Sequence, residues 1–189
     1  METWVRKQFE NVSGGMVIFP LMVLFFLYFF DEFDTAAFGT LAPEIQKAFH
    51  LSDSRFGFIV ILNISVVLLL AVSVGYYGDR LPRTKIVVAG GVVAGVFSFA
   101  TGLAGGVGIL LAVRIGNGIG LLVNDPIHRS LLSDYYKPEN RPQVFAFHAH
   151  AARLGAIVGP LVAGIIGSMF GWGHASRVLI VTYLPKAFV

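Results

Sequence analysis

Apolar residues run in long blocks along this chain, and charged residues gather in the gaps between them. A helix needs about 20 mostly apolar residues to cross a lipid core. Five blocks have about that length: 16–38, 56–77, 86–103, 107–132 and 144–170. A sixth, 175–189, stops at Val189 after about 15 residues, roughly 22 Å of helix at 1.5 Å per residue and short of a core of about 30 Å. The pattern predicts an all-α membrane protein, a six-helix transmembrane bundle over 1–189 with its sixth helix truncated. The connections are short, about 15 residues after the first block and a few Gly-rich ones after the third. No sizeable soluble domain is expected. The first block is too long for a signal-peptide core and is expected to stay as a helix.

Composition sharpens this reading. Hydrophobic residues make up 56% of the chain and charged residues 13%, where a soluble domain carries about 25% charged residues. A membrane is the natural solvent for so much apolar surface. Cysteine is absent, which removes disulfides, thiol catalysis and cysteine metal sites. No Gly-x-Ser-x-Gly elbow, His-Glu-x-x-His pair or phosphate loop is present, so the parts of an intramembrane enzyme are missing. No cofactor, metal or nucleic-acid partner is expected.

The placement of basic residues sets the orientation. An inside N-terminus puts Arg6, Lys7, Arg80, Arg83, Lys85, Arg129, Lys137 and Arg141 on one side, against Lys47, Arg55 and Arg177 on the other. Cytoplasmic loops carry the excess of Lys and Arg, so the N-terminus is expected in the cytoplasm. Residues Trp4 to Glu10 mix aromatic and basic side chains and fit the cytoplasmic interface. Glycines recur four apart at Gly91 and Gly95, Gly116 and Gly120, and Gly155 and Gly159. Small residues at that spacing let helices approach closely.

Between the second and third blocks the chain reads Gly75-Tyr-Tyr-Gly78-Asp79-Arg80-Leu-Pro82-Arg83-Thr-Lys85. A charged run of this kind belongs in a tight turn at the membrane surface. Its order resembles the signature loop of the major facilitator superfamily of secondary transporters, with Pro82 where glycine is common. Arg114, Gly118 and Gly120 resemble the fourth-helix pattern of that family. Asp134, Pro138, Glu139 and Arg141 resemble the loop that follows it, and Gly155, Gly159, Pro160 and Gly164 its fifth-helix Gly-Pro motif. The resemblance covers about 16–189 and implies the N-terminal half of a twelve-helix transporter, two three-helix repeats of inverted topology. The C-terminal bundle would come from the same chain or a partner. It also implies a gating loop of Gly75, Gly78, Asp79, Arg80 and Arg83. In the family the Asp faces the N-terminus of a helix in the second half, where the helix dipole favours a carboxylate by about 0.3–1 kcal/mol. Asp79 can also pair with Arg83 across the turn. Asp34, the Pro43-Glu44-Ile45-Gln46 and Leu51-Ser52-Asp53-Ser54 stretches look most like the Spinster-type branch. That branch moves lysolipids and sphingolipids, with proton coupling in bacterial members. A bacterial inner membrane is the expected location.

Ionisable residues inside a membrane are costly and are functional candidates by default. Asp31 and Asp34 are three apart and share a face of the first helix, while Glu32 points elsewhere. Asp34 matches the first-helix acid that in the Spinster-type branch takes up the coupling proton. Burial favours a neutral carboxylate and a nearby Arg favours the charged form, so a change in that balance would load or release a proton. The alternative is that the three acids lie near the outer surface and are hydrated. Arg114 is the natural partner for Asp34 or for an anionic substrate group. Spinster-type proteins carry a Glu seven residues after this Arg, where this chain has Leu121. Asn124 and Asp125 follow one turn later and stand as substitutes, or Asp125 pairs with Arg129. In the fifth helix His150 and Arg153 share a face, and Arg153 suits a phosphate or carboxylate head group. His148 lies about 200° from His150 at 100° per residue, which disfavours joint metal binding. Asn63 in the second helix adds a polar group.

The expected function is proton-coupled alternating access for a small anionic or amphipathic, lysolipid-like solute, with Asp34, Asp31 and Asp125 as proton-coupling candidates. Arg114, Arg153, His150, Asn63 and Asn124 are the substrate-binding candidates. The competing class is a half-transporter or regulatory membrane module that does not transport without a partner bundle. Membrane lipid, a small-molecule substrate and a proton are the expected partners.

Overall fold

The computed structural model describes residues 18–78, 80 and 82–170, and all their side chains except those of residues 74, 75, 77, 78 and 123–126. Among these residues the chain forms six α-helices and no strand: α1 (Phe19–Thr40), α2 (Ala42–Ala48), α3 (Asp53–Gly78), α4 (Arg83–Thr101), α5 (Val107–Tyr135) and α6 (Arg141–Phe170). The truncated sixth span expected at 175–189 lies outside the described residues.

The stretch expected as a plain loop after the first apolar block contains α2. Pro43 sits in its first turn, where a missing N–H costs nothing. The helix stops in a left-handed cap. His50 has φ 51°, the Leu51 N–H donates to the Gln46 carbonyl at 2.9 Å and the His50 N–H to Lys47 at 3.4 Å. Ser52 then opens α3, its Oγ accepting from the Arg55 N–H at 3.4 Å. These bonds satisfy backbone groups that helix ends leave open. At the end of α5 Arg141 does the same for carbonyls, donating from Nη2 to Ser133 at 2.8 Å and from Nε to Tyr136 at 3.2 Å.

The helices pack reciprocally. α1 lies along α6, and α5 lies along both α3 and α4. If α2 is set aside, the first helix of one half packs on the second helix of the other, as the inverted repeat requires. Glycine makes these approaches possible. A Cβ on Gly120 would stand 2.6 Å from the Ala94 nitrogen and 2.7 Å from the Gly90 carbonyl, and one on Gly159 2.5 Å from the Phe33 carbonyl. A Cβ on Gly155 would strike the Phe29 carbonyl. Lipid provides no hydrophobic drive between helices, so backbone proximity of this kind supplies the packing.

Two apolar clusters close the bundle at opposite ends. Leu21, Leu24, Leu27, Val87, Leu131, Leu132, Tyr136 and Val144 form one, beside the connections that carry Arg80, Arg83, Lys137 and Arg141. Phe33, Ala37, Leu41, Ile45, Ala104, Leu110 and Ala163 form the other. Between them lies a buried polar layer: Asp31, Asp34, Ser98, Asn117, His128 and His148.

Large apolar side chains cover the outside, among them Phe58, Ile61, Leu68, Leu69 and Val72 on α3 and Ile157, Leu161, Ile165 and Met169 on α6. α3, α4, α5 and α6 are each long and apolar enough to cross a membrane. At 22 residues α1 is about 33 Å long. It carries three acids, of which Asp31 and Asp34 are buried against its neighbours.

Candidate functional site

The polar layer is organised around Asp34. This residue is 1% exposed and lies six residues, about 9 Å, from the end of α1. Arg114 of α5 donates from Nη1 to Asp34 Oδ2 at 3.0 Å. Ser98 of α4 donates from Oγ to Oδ1. One carboxylate thereby joins three helices. The Arg114 guanidinium also sits 4.0 Å from the centre of the Phe38 ring, one turn on from Asp34, in a cation–π arrangement. The pair is almost dry, with the Arg114 side chain 13% exposed.

The surroundings extend the site. Asn117, one turn along α5 from Arg114, donates from Nδ2 to the Ala94 carbonyl at 3.1 Å. Its Oδ1 is buried with no hydrogen-bond partner among the described residues, and so is Asn63 Nδ2. A Cβ on Gly118 would lie 2.6 Å from the Val67 side chain. Asn63 is one turn from Val67 and Arg114 one turn from Gly118, so Asn63 sits at the level of the ion pair. An open donor and an open acceptor beside a buried charge pair are features a polar solute can use, because buried polar groups are rarely left unmatched.

The other sequence candidates divide. Asp31 is 6% exposed, one turn before Asp34 on the same face. Both aspartates are thus buried, unlike the hydrated surface acids of the alternative, while Glu32 is only half-buried. Glu32 is half-buried against α6, its Cβ 3.0 Å from where a Cβ of Gly155 would stand. His150 and Arg153 are exposed, and His150 Nδ1 lies 2.6 Å from the Ala146 carbonyl of its own helix. Neither joins the Asp34 cluster. The side chains of Asn124 and Asp125 lie outside the described residues, so the pairing of Asp125 with Arg129 does too. Gly75 and Gly78 fall in the last turn of α3, and Asp79 lies outside the description. Arg80 stacks 4.0 Å from the Tyr76 ring centre. Arg83 reaches Asp134 at the end of α5, a link between the two loop patterns that the turn alone did not suggest.

Four residues of the polar layer were not among the sequence candidates: Ser98, Asn117, His128 and His148. Ser98 follows Gly91 and Gly95 on the buried face of α4, so the glycine stripe marked it. His148 falls on the buried face of α6 with Ala151, Gly155 and Gly159, and packs on Tyr28 of α1 and His128 of α5.

The sequence and fold match known transporters. A family model described as Major Facilitator Superfamily matches residues 24–185. The 4-hydroxybenzoate transporter PcaK of Pseudomonas aeruginosa is 28% identical over 152 residues, which is 80% of this chain and 34% of that protein. Protein spinster homolog 1 of Xenopus laevis is 27% identical over 174 residues, 89% of this chain and 32% of that one. The chain thus spans about a third of the length of these relatives. The crystal structure of a bacterial homolog to the human lysosomal transporter Spinster, in an inward-facing and unoccupied conformation, shares the fold with a TM-score of 0.77 and 20% identity, over 90% of this chain and 40% of that chain. The family and these relatives are transporters rather than enzymes. With the match extending over most of its length, the chain belongs to the Major Facilitator Superfamily.

Proposed function

We infer that this chain is the N-terminal bundle of a proton-coupled secondary transporter for a small anionic or amphipathic solute. The observation that carries the reading is the buried Asp34–Arg114 pair, bridged to a third helix by Ser98. A charge pair out of water is a poor way to gain stability, and ionisable groups inside a membrane mark ion and substrate paths.

The pair supports a simple coupling scheme. With Asp34 ionised, its carboxylate holds Arg114. A proton on Asp34 neutralises the acid and leaves the guanidinium available for a solute carboxylate or phosphate, which it can grip with two hydrogen bonds. Proton and anion then favour each other's binding. Breaking the link between α1, α4 and α5 would allow the bundle to change its packing. Asp31, and Asp125 of α5, are further proton-coupling candidates. Asn63, Asn124, His150 and Arg153 are further substrate-binding candidates, the last two as exposed groups on α6.

The partner bundle is expected against the exposed apolar faces of α3 and α6, with Gly75, Gly78, Asp79, Arg80 and Arg83 as the gating turn. The cluster of basic residues near that turn supports a cytoplasmic N-terminus, and the bacterial aromatic-acid transporters among the relatives support a bacterial inner membrane. Two solute classes are candidates. Aromatic acids come from the names of PcaK and the gallate transporter of Pseudomonas putida, and lysolipid-like solutes from the resemblance to the Spinster-type branch. Uptake of labelled 4-hydroxybenzoate and of a lysophospholipid into proteoliposomes, with and without an inward proton gradient, distinguishes them. Gradient-stimulated uptake of one supports the reading; gradient-independent behaviour of both contradicts it. The second reading is a half-transporter or membrane regulatory module that does not transport without a partner bundle. Reconstitution of these 189 residues alone tests it.

A further inference from the structure

We propose that His128, His148 and Tyr28 form a proton-binding site of their own, in which the two imidazoles together take up a single proton at the junction of α1, α5 and α6. The His128 and His148 ring centres are 5.4 Å apart at 84°. Tyr28 stacks on His148 at 4.8 Å with the planes 8° apart, and presents its edge or face to His128 at 6.3 Å and 89°. The rings come from three helices and are deeply buried, His128 at 0% and His148 at 3% exposure.

Imidazole is the side chain that gains and loses charge near neutral pH, and packing two together inside a membrane bundle is not needed for an apolar fit. An imidazolium stacked on a phenol ring is favoured by the ring's negative face. Two imidazolium charges at this distance in a buried site repel, so the pair takes one proton and not two.

The groups around the pair agree with this. On α1 the next turn beyond Tyr28 carries buried Asp31, and the turn before it is apolar Leu24. On α5 Ile127 and Leu131 flank His128, Arg129 is exposed, and Asp125 is one turn away. On α6 Val144 and Ala151 flank His148 on the same face, His150 is exposed, and Arg141 is tied to the carbonyls of Ser133 and Tyr136. From α4 the cluster beneath receives only Val87. Asp31 is therefore the described acid nearest along α1, and Tyr28, Asp31 and Asp34 follow one another at intervals of three. They lead from the histidines to the Arg114 pair over about 9 Å of helix. The site's existence stands apart from the transport reading; a role in coupling rests on it.

The test uses the full-length protein in lipid nanodiscs with ring-¹⁵N histidine, followed from about pH 5 to about pH 9 around the ordinary imidazole range. His128→Gln and His148→Gln assign the signals. The expected result is a single joint transition of the two rings that sums to one proton, and loss of the joint transition in either variant. Because wild type alone reads the stoichiometry, poor folding of a variant does not decide the outcome. Two complete and separate protonations, or no protonation of either ring across the range, overturn the proposal. The same titration in Asp34→Asn separates the two sites: a histidine transition that persists where proton-driven uptake is lost leaves this site standing on its own, and a histidine pair that never titrates fails even if uptake is proton-coupled.

Discussion

Arg114 of α5 reaches across 80 positions of sequence to place Nη1 3.0 Å from Asp34 Oδ2 of α1. Ser98 holds the other oxygen of the same carboxylate. Two helices that do not follow each other in the chain are thus joined by opposite charges in a nearly dry interior.

Removing one partner of such a pair leaves a buried charge with no counter-charge, at a cost of about 3–5 kcal/mol. Arg114→Ala is expected to lower the unfolding free energy of the full-length protein in detergent by about that amount. Adding Asp34→Ala should recover part of the loss, because the second substitution removes the stranded carboxylate. Additive losses in the double variant would show that the two side chains are not coupled.

The α1–α6 contact predicts sharp sensitivity at small residues. Gly159→Ala puts a Cβ 2.5 Å from the Phe33 carbonyl, and Gly155→Ala drives one into the Phe29 carbonyl. Each should cost about 1–3 kcal/mol by overpacking. Gly164→Ala meets nothing within 4 Å and should remain within about 0.5 kcal/mol of the parent. Thermal unfolding of the three variants provides the comparison, and equal stabilities would contradict the backbone-to-backbone packing.

Arg83 and Asp134 make an ion pair at the other extreme of burial, with side chains 49% and 56% exposed. Exposed pairs contribute about 0–1 kcal/mol and are screened by salt. Arg83→Ala should therefore change thermal stability little at any ionic strength. A large, salt-independent loss of stability would mean that this end of the bundle is held by the pair itself.

Arg153 is exposed on α6, outside the Asp34 cluster. If it takes the head group of an anionic solute, Arg153→Ala should raise the Kd of that solute about tenfold or more, consistent with loss of a charge-assisted hydrogen bond of about 1.5–3 kcal/mol. The unfolding temperature should stay close to that of the parent. Unchanged binding of each anionic candidate by calorimetry removes Arg153 from the site.

Much of this was legible in the order of residues, for reasons that differ from element to element. The long helices show because the apolar blocks are separated by turns such as Gly78-Asp79-Arg80 that hydrocarbon excludes. The Asp34–Arg114 pair shows because a lone charge in a membrane has to find its opposite. The short helix α2 was missed because seven residues of moderate helix formers, Ala42–Ala48, carry no readable period. The histidine pair was missed because burial on α6 depends on which face meets α1. That face is marked by Gly155 and Gly159, and His148 lies on it seven residues before Gly155, while His150 does not. Arg83 to Asp134 needed the fold, since 51 positions separate them.

The central claim is that Asp34 binds the coupling proton. Solute uptake by the full-length protein in proteoliposomes, measured with and without an inward proton gradient for wild type and Asp34→Asn, addresses it most directly. The account predicts that the gradient accelerates uptake by wild type and has no effect on the variant, which retains only downhill exchange. Uptake by Asp34→Asn that still follows the gradient as wild type does would contradict it.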